Sequence, residues 1–295
     1  MFNHGLQDSH RRLYLSISEG PTLSRFILVP LILVSMRFSI TSIKGGVGKS
    51  TASVLLSLEL NRLNKGVILV DMDLSGYTSF LARLDGPGLL SSIVDGLNRE
   101  KYFKDEGNTR IVKLAGDGPR MKIDVEKIRK DERLFTRFQE TYFKALSFPH
   151  EYTIIDNYPL SSPTDEEIAL EREIYSLRHK DRCYDIKVTD SNEFDINQTL
   201  EYAIYQKSRD SCETLALVIN MIPSPSRKRT LENNMNTLLS KIDAKVGILV
   251  PFIEELFQYS GPIRDIPRLP QFARLAEMIV SGDVDKGREK TVISY

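Results

Sequence analysis

"SIKGGVGKST", residues Ser42 to Thr51, sets two lysines five positions apart around three glycines. It lies between an apolar, strand-like run, Arg37 to Ile43, and a helical pattern, Ser50 to Lys65, closed by Gly66. Glycines let the backbone of such a junction fold tightly with its N–H groups turned inward, and the following helix adds its positive end. Together they form a nest for phosphate oxygens. In that nest Lys49 is placed to meet the β- and γ-phosphates of a nucleotide, and Ser50 to offer a hydroxyl ligand to Mg²⁺. Gly45, Gly46, Val47, Gly48 and Thr51 complete the cradle. A glycine-rich turn can be only a turn, but GKST at a strand-to-helix junction points to a nucleotide.

Working outward, further apolar runs read as strands: Val67 to Asp71, Arg110 to Leu114, Tyr152 to Asp156, Tyr184 to Val188, Thr214 to Asn220 and Lys245 to Val250. Their cores are nearly continuous in apolar residues, as strands covered on both faces require. Helical patterns fall between them at Asp131 to Leu146, Thr164 to Leu177, Asp195 to Gln206, Lys228 to Ile242 and Pro270 to Val280. Thr164 followed by Glu167 reads as a capping box. The alternation predicts an α/β fold, a doubly wound, mostly parallel sheet flanked by helices, with function at the carboxyl ends of the strands. The charged stretch Asn98 to Arg110 and the segment Gly116 to Lys130 read as surface insertions.

The chain has 295 residues, 41% hydrophobic and 27% charged, with 40 basic and 40 acidic side chains. Balanced charge announces no polyanionic partner, so nucleic-acid contact would need a local patch. Cys183 and Cys212 stand far apart, and His4, His10, His150 and His179 show no ligand spacing. Neither a disulfide framework nor a metal cluster is expected, and a reducing, cytoplasmic setting follows. "RFILVPLILVS", Arg25 to Ser35, is about half the ~20 residues that span a bilayer and is interrupted by Pro30, so a membrane anchor is not expected. Residues 1–35 read as a dispensable extension or a start-site artefact, and 36–295 as a single domain.

The usual phosphate-loop pattern begins with glycine, where this chain has Ile43 followed by Lys44. "KGGVGKST" resembles instead the deviant Walker A motif of the ParA/MinD family of P-loop ATPases. The resemblance implies that Lys44 crosses a dimer interface to nucleotide bound by the other subunit. It extends to "VILVDMDLSG" (Val67 to Gly76), where Asp73 matches the residue that positions the attacking water and Asp71 the acid that supports Mg²⁺. In "YTIIDNYPL" (Tyr152 to Leu160) Asp156 matches the Walker B acid, which holds Mg²⁺ through water. The family continues with an acid and paired prolines, whereas here Asn157, Tyr158 and one proline, Pro159, follow. "LALVINMIP" puts Asn220 at the adenine-contacting position, and "ILVPFIEEL" puts Pro251 and, more weakly, Phe252 at the adenine wall.

What the resemblance implies for activity is Mg²⁺-dependent ATP hydrolysis, slow without a ParB-like or other stimulating protein, in a homodimer that closes on ATP. For partition-type members the closed dimer binds DNA nonspecifically. The cluster suited to that is "SPSRKRT", with Arg227, Lys228 and Arg229, whose plain reading is a solvated face. DNA partitioning or positioning is thus one expectation. The alternative is a MinD-like protein- or membrane-positioning switch, although "SGDVDKGREKTVISY" (Ser281 to Tyr295) lacks the periodicity of a membrane-surface helix. A redox or metal-maturation ATPase would need paired cysteines, and a metabolic ligase of the wider class would lack a Lys44.

Overall fold

The structure is a computed structural model; it describes residues 35–97, 102–209, 212–286 and 289–295. The extension and its apolar run to Val34 therefore lie outside the described residues. In chain order the elements are β1 (Met36–Thr41), α1 (Lys49–Arg62), β2 (Val67–Asp71), α2 (Tyr77–Leu81), α3 (Leu89–Val94), β3 (Phe103–Glu106), β4 (Thr109–Lys113), α4 (Met121–Lys130) and α5 (Glu132–Leu146). They continue with β5 (Tyr152–Asp156), α6 (Glu166–Ser176), β6 (Arg182–Asp190), α7 (Glu193–Lys207), β7 (Glu213–Ile222), α8 (Pro225–Ile242), β8 (Val246–Pro251), α9 (Glu254–Phe257), α10 (Pro270–Ser281), α11 (Asp283–Lys286) and β9 (Thr291–Ser294).

The strands form one sheet in the order β3-β4-β2-β5-β1-β6-β7-β8-β9, parallel except for the β3–β4 pair. Every residue of β2 and β5 is buried, as strands sandwiched between helices demand. On one face α1 and α10 cover a core built from β1, β2, β5, β6, β7 and β8, with Phe38, Leu55, Ile154, Val188 and Leu275 among its residues. On the other, α3 to α6 pack on β2, β4 and β5, and α7 and α8 pack on β7 and β8. The order turns at β1, flanked by β5 and β6, so the loop between β1 and α1 opens at the switch point where such sheets bind ligands.

Four expectations are corrected. Gly116 to Lys130 is not a surface insertion: α4 buries Met121, Val125 and Ile128, whose spacing of four and three turns one apolar stripe inward beneath a charged exterior. Within the charged stretch, residues 103–106 form β3, pairing Asp105 with Arg110 across a hairpin. Thr164 does not cap α6. Asp165 occupies that position, its carboxylate accepting from the Ser162 N–H at 2.8 Å and the Tyr158 hydroxyl at 2.6 Å. Finally, Cys183 and Cys212 are disulfide-bonded, with Cα atoms 4.6 Å apart. Their 29-residue separation conceals that β6 and β7 are neighbours with Tyr184 opposite Glu213, which sets the preceding cysteines side by side. The ground for a reducing compartment goes with it.

At the amino end of β5, the His150 and His179 rings lie 5.1 Å apart, and His179 stacks on Tyr175 at 4.7 Å. Burial holds both imidazoles below the usual range, and for His179 the charge of His150 adds to it. The fold therefore keeps them neutral, while the unfolded chain takes up protons near the ordinary 6.5. Their contribution to stability is full above that value and declines as pH falls below it. Buried carboxyls such as Asp71 titrate with the opposite sign in the same range, so the histidine contribution is read by difference: on going from about pH 7.5 to about pH 5.5, His179→Phe, which keeps a ring in the stack, is expected to lose less thermal stability than the parent. The same pH shift of the thermal midpoint in parent and variant would count against this assignment.

Candidate functional site: a phosphate loop among carboxylates

Gly48 precedes α1 in the left-handed region at φ 90°, and a β-carbon there would sit 2.2 Å from the Asn220 side-chain nitrogen. Only glycine serves at both counts. The loop it closes borders a cleft of about 580 Å³. Gly45, Gly46, Lys49, Ser50 and Thr51 line it together with Asn220, Pro251, Phe252, Tyr77 and Phe272. Val47 turns its side chain into the core, 2% exposed, and offers its carbonyl to Asn220 Nδ2 at 2.9 Å, which leaves its backbone N–H for the cradle. Asn220 thus braces the loop as well as facing the cleft.

The carboxyl ends of β2 and β5 deliver the acids. Asp71 and Asp156 are partners in register and both fully buried. Lys49, whose side chain is 5% exposed, reaches across to them: Nζ lies 2.7 Å from Asp73 Oδ2 and 3.6 Å from Asp156 Oδ1. Burial alone would lower the ammonium, but the charges of Asp156 and Asp73 outweigh it, so Lys49 is held above the usual lysine range. Burial works against ionising Asp73 too, yet Lys49 and Ser75 bring its carboxyl below the usual value. Asp71, by contrast, is pushed up to about 7 by burial and by Asp156. Its oxygens accept from the Asp73 N–H at 3.1 Å and from the Ser79 N–H and hydroxyl at 2.7 and 2.6 Å. They are spent on shaping the turn from β2 into α2.

Asp156 differs. Oδ2 accepts from the Thr78 hydroxyl at 2.9 Å, whereas Oδ1 is buried with no hydrogen-bond partner. Burial raises this carboxyl, against the pull of Lys49 and of the Ser50 and Thr78 hydroxyls. A buried carboxylate oxygen within ion-pair reach of Lys49 and beside the Ser50 hydroxyl, at the mouth of a helix, is a donor set suited to a hard divalent cation such as Mg²⁺. Among the described residues no cluster of three or more His, Cys, Asp or Glu side chains is arranged to enclose a metal, so any cation here would rely on phosphate and water for its remaining ligands.

The other lysine of the loop also borders the cleft but pairs with different acids. Lys44, its side chain 42% exposed, sets Nζ 2.7 Å from Asp190 Oδ2 and 2.6 Å from Asp195 Oδ2, and those hydrogen bonds raise it above the usual lysine range. Sequence reasoning passed over both acids. Asp190 ends β6 as Asp71 ends β2, which is the signal that could have marked it. Asn157 is 2% exposed and ties β5 to β1 through Ser39 Oγ at 2.9 Å and the Ile40 carbonyl at 3.2 Å. Pro159 approaches Gly45, within 3.9 Å of where its β-carbon would be. The basic triplet is split: Arg227 donates twice to the Ser191 carbonyl, at 3.1 and 2.7 Å, and Lys228 to that of Tyr295 at 2.7 Å, leaving Arg229 exposed.

No helix among the described residues is long and apolar enough to cross a membrane. No curated protein matches the chain in sequence. Solved structures do match in fold. The MinC:MinD cell division complex of Aquifex aeolicus aligns at 15% identity and TM-score 0.55 over 84% of this chain and 96% of that one. The septum site-determining protein MinD of Pyrococcus horikoshii, complexed with Mg-ADP, aligns at 18% identity and TM-score 0.55 over 86% and 100%. A plasmid partition protein from Borrelia burgdorferi aligns at 17% and 0.53, again over 86% and 100%. Residues 38–262, which run from β1 past α9, match the CobQ/CobB/MinD/ParA nucleotide binding domain, and the chain belongs to that family.

Proposed function

We propose that the chain is an Mg²⁺-dependent ATPase whose two copies close around ATP and part after hydrolysis, a switch that positions or partitions a cargo such as DNA. The observation that carries this reading is the division of labour between two lysines of one loop. Lys49 is buried among acids inside the cleft, and Lys44 is held at its rim. Lys49 exchanges its contact with Asp73 for phosphate oxygens, and Asp73, released, orients the attacking water. Ser50 and Asp156 would hold Mg²⁺, while Asp71 supports the turn that carries Asp73. When bound, Mg²⁺ supplies positive charge against the charge that develops on the transferred phosphoryl oxygens. Asn220 and Pro251 border the base, walled by Tyr77 and Phe252. Lys44 must leave Asp190 and Asp195 to reach the nucleotide of a second copy, which makes closure an exchange of ion pairs rather than a gain of one.

Lys49→Ala is expected to lose ATP binding, measured by titration calorimetry. Asp73→Ala should retain binding but lower turnover roughly a hundredfold or more, the scale of a lost general base, and accumulate as a dimer. Lys44→Ala should bind ATP as a monomer in light scattering. Unimpaired turnover of Asp73→Ala would sink the assignment.

The DNA cargo rests on Arg227, Lys228 and Arg229. Two of the three are engaged within the chain, an observation that favours the second reading, a protein-positioning switch of MinD type without DNA. Asp73→Ala with ATP or ADP, presented to nonspecific duplex DNA at low and at physiological salt, separates the two. An ATP-only dimer that binds DNA and releases it as salt rises supports partitioning; an ATP-only dimer that ignores DNA at both supports a protein cargo and a stimulating protein that reads the closed form.

A further inference from the structure

One buried charge lies outside the chemistry just described. Lys187, in the middle of β6, is 0% exposed and does not border the cleft. Taking an ammonium out of water is costly, and an apolar side chain of the same length would fill the space without that cost. The amine is nonetheless fully engaged: Nζ donates to Asp185 Oδ2 at 3.0 Å and to Gln206 Oε1, and it lies 5.0 Å from the centre of the Tyr202 ring.

What it does is orient an amide. An ammonium can only donate, so Gln206 must present its oxygen to Lys187 and its NH₂ to the opposite side. There Nε2 donates to the Ser161 carbonyl at 2.8 Å and to the Tyr202 hydroxyl at 2.6 Å, and the Tyr202 hydroxyl donates in turn to the same carbonyl. Ser161, itself 3% exposed, is the fifth residue after Asp156. The loop between them holds Leu160 at φ 57°, its N–H bonded to the Ser42 carbonyl of the phosphate loop at 2.8 Å, and sets Pro159 against Gly45. Tyr202 and Gln206 stand on α7, the same helix whose first turn carries Asp195 to Lys44.

We propose that Lys187 and Gln206 are positioning residues: the buried ammonium fixes the Gln206 amide, which pins the Ser161 carbonyl and with it the 157–161 loop against the phosphate loop. The inference deepens the ATPase reading above and rests on it for its kinetic consequence. Through α7 the signature lysine and the loop after Asp156 share one support, so displacement of either strains the other.

Two variants test it. Lys187→Met paired with Asp185→Asn removes both buried charges together, leaving no orphan ion, and frees the Gln206 amide to turn. Gln206→Glu keeps an acceptor for Lys187 but has no N–H for Ser161. In each, kcat is expected to fall about tenfold, the scale of a sub-ångström misplacement of reacting groups, with KM for ATP within about threefold because the phosphate loop still holds the nucleotide. The thermal midpoint of the paired variant should match or exceed the parent's. The Leu160 amide hydrogen should exchange faster with solvent in both, a readout that needs no turnover. Parental kcat together with parental Leu160 exchange in either folded variant overturns the proposal. Should the parent itself neither hydrolyse ATP nor dimerise with it, the ATPase reading fails, while Leu160 exchange still decides the positioning role.

Discussion

Three carboxylates, Asp71, Asp73 and Asp156, converge at the ends of two adjacent buried strands, and one ammonium makes that convergence tolerable. Without Lys49 the acids would repel one another in a medium too dry to screen them. The dependence runs both ways, since a lysine 5% exposed would be driven toward neutrality without acids beside it. From this mutual requirement follow the adjacency of β2 and β5, the tight turn that aims Lys49 inward from the start of α1, and the placement of Ser79 and Thr78 as hydroxyl donors to the acids Lys49 does not satisfy. The ensemble is charge-balanced: the ammonium that neutralises these acids is the one that, on the function proposed above, meets a phosphate chain.

Much of this was legible before any coordinates. The phosphate loop carries local instructions in its glycines, and buried parallel strands advertise themselves by unbroken apolar runs, so Val67–Asp71 and Tyr152–Asp156 were bounded to the residue. Failures came where the signal is not local. The Met121, Val125 and Ile128 stripe of α4 is diluted by six charged neighbours in ten residues. β3 is a short antiparallel edge that alternates nothing apolar. The disulfide depends on which strands become neighbours, and the Lys187 network on which side chains of β6 and α7 meet, neither of which spacing encodes. Asp190 and Asp195 escaped because an acid at a strand end or in a first helical turn has an ordinary reason to be there.

Among the site residues, motif spacing located the cleft but not the allegiance of each group within it. Val47 adds a core side chain and a carbonyl bonded to Asn220, Asp71 shapes a turn, and Asn220 braces the loop as well as bordering the cleft. These distinctions are matters of a few ångströms between neighbouring atoms. Helix α7 touches the loop before α1 through Asp195 in its first turn and the loop after β5 through Gln206 in its last.

The β3–β4 hairpin has a bearing on how copies of the protein can meet. β3 is the outermost strand on its side of the sheet, and its Lys104 and Glu106 pair with each other while Asp105 pairs with Arg110 of β4. A rim lined with such charges resists the addition of a further strand from another molecule. The sheet is thereby kept finite on that flank, closed to the runaway edge-to-edge growth that ends in fibrils, and a reversible encounter between two copies is left to surfaces that carry side-chain chemistry instead of bare backbone.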